Sequence, residues 1–192
     1  MNRHSLLPAA LVLLGFLVLP AAAQMRRPLY PAPRLTPRVA AIRDARTPWQ
    51  PARPAATELP AAVDNSQTAF FPPVIDQQGG SCAQASAIGY VFTYEMNRLL
   101  QRSAAEAANR FSYLFAWNFL NDGTDEGGFA EEGFFLAQRY GMMTEADFGP
   151  GPASQFKWAS GFEKYRNAQR YLVERIYTFP ATDEAGLAAI KR

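Results

Sequence analysis

FFPPVIDQQGGSCAQASAIGYVFTYEMN, residues 70–97, contains Cys82, the single cysteine among 192 residues. Ahead of it lies a loop rich in Gln and Gly. After it, Ala85, Ile88, Phe92, Met96 and Leu99 recur at spacings of three and four through a stretch free of Pro. That spacing predicts a helix over 82–102 with Ser81 as its N-cap. A thiol in the first turn of a helix meets the positive end of the dipole and unpaired backbone N–H groups, which favour the thiolate. The ordinary alternative is a small buried hydrophobe. The QQGGS loop tips the balance towards a nucleophile, because flexible backbone and amide donors ahead of a helix are what an oxyanion site needs and no core position requires them.

The compartment sharpens the question of a lone thiol. Arg3 precedes an apolar run from Leu6 to Leu19, and Pro20-Ala21-Ala22-Ala23 supplies small residues in the A-x-A pattern before Gln24. This predicts a signal peptide over residues 1–23, cleaved near Ala23, and a secreted or periplasmic chain. The run of about 14 residues falls short of the roughly 20 that a bilayer-spanning helix needs, so no stable membrane insertion is expected after cleavage. An oxidising compartment leaves an unpaired thiol open to exchange unless it is buried or employed.

Residues 24–58 hold seven Arg, no Lys, two acidic residues and frequent Pro, a composition that predicts a disordered linker. The charges are dispersed rather than clustered, which favours a solvated tether, and nothing argues for a nucleic-acid partner. From Leu59 onward 15 Asp and Glu outnumber 11 Lys and Arg, so the folded part is mildly acidic. Residues 59–192 are enough for one core.

A second apolar helix is expected over 111–120, capped by Ser112. The loop NDGTDEGG separates it from a third helix over 129–140, which Gly141 ends. The segment 157–179 reads as a helix that gives way to a strand over 173–179, and Thr182 with Asp183 and Glu184 opens a further helix in which the sequence stops. Consecutive helices without alternating strands describe a helical lobe of an α+β fold rather than a complete α/β domain. The acidic loop is not an EF-hand, because its register from Asp122 places Thr124 at a ligand position and Gly133 where the bidentate Glu belongs. No metal and no cofactor are expected. Trp117 and Trp158 are assigned to the core.

Pro73-Val74-Ile75-Asp76-Gln77-Gln78-Gly79-Gly80-Ser81-Cys82-Ala83-Gln84-Ala85-Ser86 resembles the active-site segment P-V-x-x-Q-G-x-C-G-S-C-W-A-F-S of the papain-like cysteine peptidases. Leu59-Pro60-Ala61-Ala62-Val63-Asp64 is similar to the L-P-x-x-V-D that opens the mature domain of that family. Phe111-Ser112, then Gly127-Gly128-Phe129 with Phe134, Tyr140-Gly141 and Thr144-Glu145, follow in the family's order. The resemblance covers 59–192 and implies the helical first lobe of a papain-like fold, with the second, β-rich lobe largely missing. It implies Cys82 as nucleophile, Gln77 as the oxyanion-hole amide with Gln78 as the alternative, and Gly127 and Gly128 as backbone that meets an extended peptide or unfolded protein.

Departures accompany the likeness. Ala83 stands where the family has Trp, no cysteine lies three before Cys82, and the glycine segment DEGG lacks its usual cysteine. The disulfides that staple the first lobe cannot form, and apolar packing is expected to replace them. The base is missing as well: the one histidine is His4, inside the predicted signal peptide. The resemblance places His and Asn about 130 to 150 residues beyond the Cys, past Arg192, so residues 1–192 alone are expected to be inactive. Two further readings stand beside an endopeptidase or exopeptidase: a catalytically dead papain-fold binding protein, and a thiol redox protein, which lacks a resolving cysteine.

Overall fold

The computed structural model describes residues 62–178 together with Ala40, Thr47 and Pro48. The expected signal peptide, most of the expected linker and the helix expected from Thr182 lie outside the described residues.

Three consecutive helical segments, Cys82–Gln84, Ala85–Phe92 and Thr93–Leu100, form one rod, α1. Its middle segment is π-helical, and the residue that follows explains how the wider turn is held. Thr93 is fully buried, donates its hydroxyl to the Ile88 carbonyl at 3.1 Å and accepts from the Phe111 N–H at 3.0 Å. The Phe111 amide, which would otherwise be stranded in the core, is thereby paired, and the Ile88 carbonyl, which also accepts from the Thr93 backbone N–H, gains a second donor. The apolar stripe sinks Ala85, Ile88 and Phe92, but Leu99 is 74% exposed. The rod stops at Gln101, which turns left-handed with φ 50° and returns its side-chain amide to the Arg98 carbonyl.

Helix α2, Tyr113–Leu120, begins two residues later than the sequence predicts, because Phe111 forms an antiparallel bridge with Thr144. The Ser112 hydroxyl caps it by accepting from the Phe115 N–H at 3.3 Å. Its residues 113–118 are all buried, as befits a helix apolar on every side. Helix α3, Ala130–Tyr140, ends at Gly141, whose φ of 75° suits glycine alone. A Cβ at Gly141 would also lie 2.0 Å from the Ala168 carbonyl oxygen, so the chain crosses there without a side chain.

A short helix, α4, Glu145–Phe148, is capped by Thr144; one turn is too brief to leave a periodic signal in the sequence. Helix α5, Phe162–Ala168, follows, and the expected strand is realised as Tyr177–Thr178 (β2), paired in parallel with Thr47–Pro48 (β1). The described residues are therefore rich in helix with little strand, compatible with a helical lobe. Trp117 is 1% exposed, as a core residue should be. Trp158 is not core: it is 64% exposed, with its ring edge-on to Phe119 at 4.6 Å.

Arg110 and Glu145 form an ion pair at 2.6 Å, with side chains 18% and 7% exposed. Arg110 also donates to the Ala104 and Ala105 carbonyls, so its fork is well satisfied. Removing one member of such a pair leaves the other charge uncompensated. Glu145→Ala is expected to cost about 3–5 kcal/mol, read from urea denaturation; a loss under about 1 kcal/mol, the range of exposed pairs, would show that the pair contributes as a surface contact only.

Candidate active site

Cys82 is the first residue of α1 and its thiol is exposed. The first-turn N–H groups have no partner within the helix. Ser81 occupies the N-cap position but makes no side-chain cap; its hydroxyl donates to the Gln78 carbonyl at 2.5 Å, while its own carbonyl accepts from the N–H groups of Gln84 and Ala85 at 2.9 Å. The turn ahead of Cys82 is thus closed on itself.

Both candidate oxyanion amides lie in this turn. Gln77 is half-buried and donates through Nε2 to the Gly79 carbonyl at 3.1 Å. Gln78 donates to the Asp76 carbonyl at 3.0 Å. A carboxamide nitrogen carries two N–H groups, so each amide has one engaged within the loop. Sequence position brings Gln77, Gln78 and Cys82 onto one loop and helix junction, while the hydrogen bonds hold both amides to backbone carbonyls of the loop itself.

Gly127 and Gly128 are half-buried in the segment that joins α2 to α3. This segment lies directly against the turn before Cys82. A Cβ on Gly79 would be 2.1 Å from Asp125 Oδ1, and one on Gly80 would be 2.7 Å from the Asp125 carbonyl oxygen. Gly79 also has φ +55°, a left-handed conformation, so glycine is required there for two reasons. Gly80 donates its backbone N–H to Asp125 Oδ1 at 2.8 Å. The two loops are joined by this bond, a polar contact in addition to the apolar packing expected in place of the missing disulfides.

Two further side-chain hydrogen bonds brace this junction, neither of them foreseen from the sequence. Gln84 is 1% exposed and donates Nε2 to the Phe129 carbonyl at 2.9 Å, tying α1 to the start of α3; its Oε1 has no hydrogen-bond partner. Trp117 donates its indole N–H to the Glu126 carbonyl at 3.2 Å. The acid pair Asp125-Glu126 placed before a double glycine, in a loop where the resemblance expects a cysteine, was the one signal that could have pointed to Asp125.

Tyr113 underlies the same turn, its hydroxyl donating to the Asp76 carbonyl at 3.4 Å. Burial, which disfavours the phenolate, pushes its pKa above the ordinary tyrosine range; a backbone hydrogen bond from Gln78 opposes the shift and the nearby charges of Asp76 and Glu145 add to it. The folded state therefore holds this proton after the unfolded chain has lost it. Stability from Tyr113 is complete below the unfolded tyrosine pKa of about 10 and is lost as pH rises through the higher folded value. Tyr113→Phe is expected to flatten the loss of stability above about pH 10, measured by denaturation at stepped pH. An unchanged alkaline slope would show that another group is responsible.

No protein-family model and no curated protein sequence matches the chain. Among solved structures it is similar to xylellain, a cysteine protease from Xylella fastidiosa, with TM-score 0.57 and 18% sequence identity. The match covers 83% of this chain and 61% of that one, so the chain spans about three-fifths of the length of xylellain. At that identity the likeness concerns architecture: the chain shares the fold of a cysteine protease.

Proposed function

We propose that the chain is the N-terminal part of a papain-like cysteine peptidase, secreted or periplasmic, which hydrolyses peptide bonds through the Cys82 thiolate. The observation that carries this reading is an exposed cysteine at the first residue of the longest described helix, against a glycine loop, in a fold shared with a cysteine protease. The sulfur attacks the scissile carbonyl carbon, and the tetrahedral oxyanion is met by the Cys82 N–H and by the Gln77 amide, with Gln78 as the alternative donor. Collapse expels the amine and leaves a thioester, which water then cleaves. Gly127 and Gly128, which have no side chain in the way, line the path of an extended peptide.

An imidazole is required to take the thiol proton and return it to the leaving amine. His4 lies in the predicted signal peptide, so the His and Asn of this reading come from residues beyond 192. Residues 24–192 then keep the nucleophile and lose acid–base catalysis, worth about 10² to 10⁴ in rate.

The test compares residues 24–192 with the complete gene product on denatured casein, each with and without a thiol-alkylating inhibitor. Inhibitor-sensitive hydrolysis by the complete product alone is expected. Inhibitor-sensitive cleavage by residues 24–192 would refute the placement of the base, and no cleavage by either form would replace the peptidase with a binding protein on the same fold.

A further inference from the structure

We propose that Asp125 is a positioning residue for Cys82, a carboxylate clamp that holds the turn from which α1 starts. The inference rests on the reading of Cys82 as nucleophile and adds to it the group that fixes its place. Three observations converge on it.

The start of α1 lacks the usual fastening, since Ser81 spends its hydroxyl on the Gln78 carbonyl instead of capping the first turn. One residue upstream, the N–H of Gly80 is buried, and a buried N–H needs an acceptor. Asp125 Oδ1 supplies it at 2.8 Å across 45 residues of sequence. Hydrogen bonds to a carboxylate are the stronger kind.

The two loops approach too closely to admit a side chain between them. Any side chain at Gly80 would meet the backbone of Asp125 and Glu126 within 3.0 Å, and one at Gly79 would meet Asp125 Oδ1, Gln155 Nε2 and Trp117. The far side of the acidic loop is anchored in turn, because Trp117, buried in α2, donates to the Glu126 carbonyl. Position therefore passes from the core helix α2, through Glu126 and Asp125, to Gly80 and on to Cys82 two residues later. Both loops are segments in which the resemblance expects a cysteine, and here a carboxylate and a backbone amide do the joining.

Asp125 touches no reacting atom, so its test must separate positioning from simple stability. The variants are Asp125→Ala, which removes the acceptor, and Asp125→Asn, which keeps a carbonyl oxygen of the same shape. Amide hydrogen exchange at Gly80 reads the clamp, and the rate of Cys82 alkylation by iodoacetamide at pH 7 reads its effect on the thiol; neither requires peptidase activity. D125A is expected to speed Gly80 exchange and to slow alkylation, each by about tenfold, as the first turn frays and its N–H groups lose their aim at the sulfur. D125N is expected to stay within about twofold of the wild type in both. Alkylation that is unchanged or faster in D125A would overturn the proposal even if Gly80 exchange rises, since the clamp would then be structural only. Should D125A fail to fold, the wild type itself decides: Gly80 must be the slowest-exchanging amide of residues 77–81, and rapid exchange there overturns the clamp. A wild type that alkylates but never hydrolyses peptides, in any form, removes the peptidase reading and leaves these comparisons in force.

Discussion

Phe111 stands edge-on to two rings at once, with Phe92 and Tyr171 each 4.8 Å from it, centroid to centroid. Its backbone is equally committed, with the N–H on the Thr93 hydroxyl and the chain bridged to Thr144. One fully buried residue thus ties α1, the entry to α2, the strand-like stretch before α4 and the segment after α5. Edge-to-face aromatic pairs add about 0.5–1.5 kcal/mol each beyond the area they bury. More important is that they have a direction. A greasy contact would let α1 rotate about its axis; a ring locked between two others, with Thr93 pinned to its backbone, does not. The aim of Cys82 at the far end of α1 inherits that restraint.

The second restraint works by subtraction. Where the turn before Cys82 meets the acidic loop, the backbones approach so closely that a single methyl group at Gly79 or Gly80 would collide. Such contacts bury little apolar surface, so the hydrophobic effect cannot hold them. Polar bonds from side chain to backbone do so instead, from Asp125 on one face and Trp117 on the other. A covalent staple would reach the same end chiefly by restricting the unfolded chain. The hydrogen-bonded solution acts in the folded state and has to be rebuilt at every folding event.

Much of this was legible beforehand, and the reasons for success and failure are physical. The periodicity of Ala85, Ile88 and Phe92, the Ser112 cap and the Gly141 stop all carry local signals, and those helices were found to within two residues. The position of Cys82 at a helix start followed from the same stripe. What escaped was non-local: Phe111 reaches back to Thr93 at the end of the π-helical stretch, and the Asp125 bond spans loops that no spacing rule connects. Trp158 was misplaced because composition reports how apolar a side chain is and says nothing of whether the fold has room for it. Ser81 shows the reverse failure, a residue of the right type at the right place whose hydroxyl donates back to the Gln78 carbonyl and accepts from no first-turn N–H.

Asn118 extends the pattern and says what kind of lobe this is. It is buried in α2, and its amide donates to the Ser154 and Lys157 carbonyls at 2.8 Å each while its oxygen accepts from the Phe156 N–H at 3.2 Å. Phe156 sits at φ 56°, a left-handed conformation that costs a non-glycine residue about 1–3 kcal/mol. Three hydrogen bonds from one buried amide are sufficient to hold it there. Thr93, Asp125 and Asn118 therefore share a role: each side chain reaches across to the backbone of another segment, at Phe111, at Gly80 and at residues 154–157 respectively, and makes it a fixed point. The aromatic core supplies most of the stability and is indifferent to loop geometry. The turn before Cys82 is held from outside that core, by the Asp125 carboxylate in the acidic loop, and that loop is held in turn by Trp117 in the helix behind it.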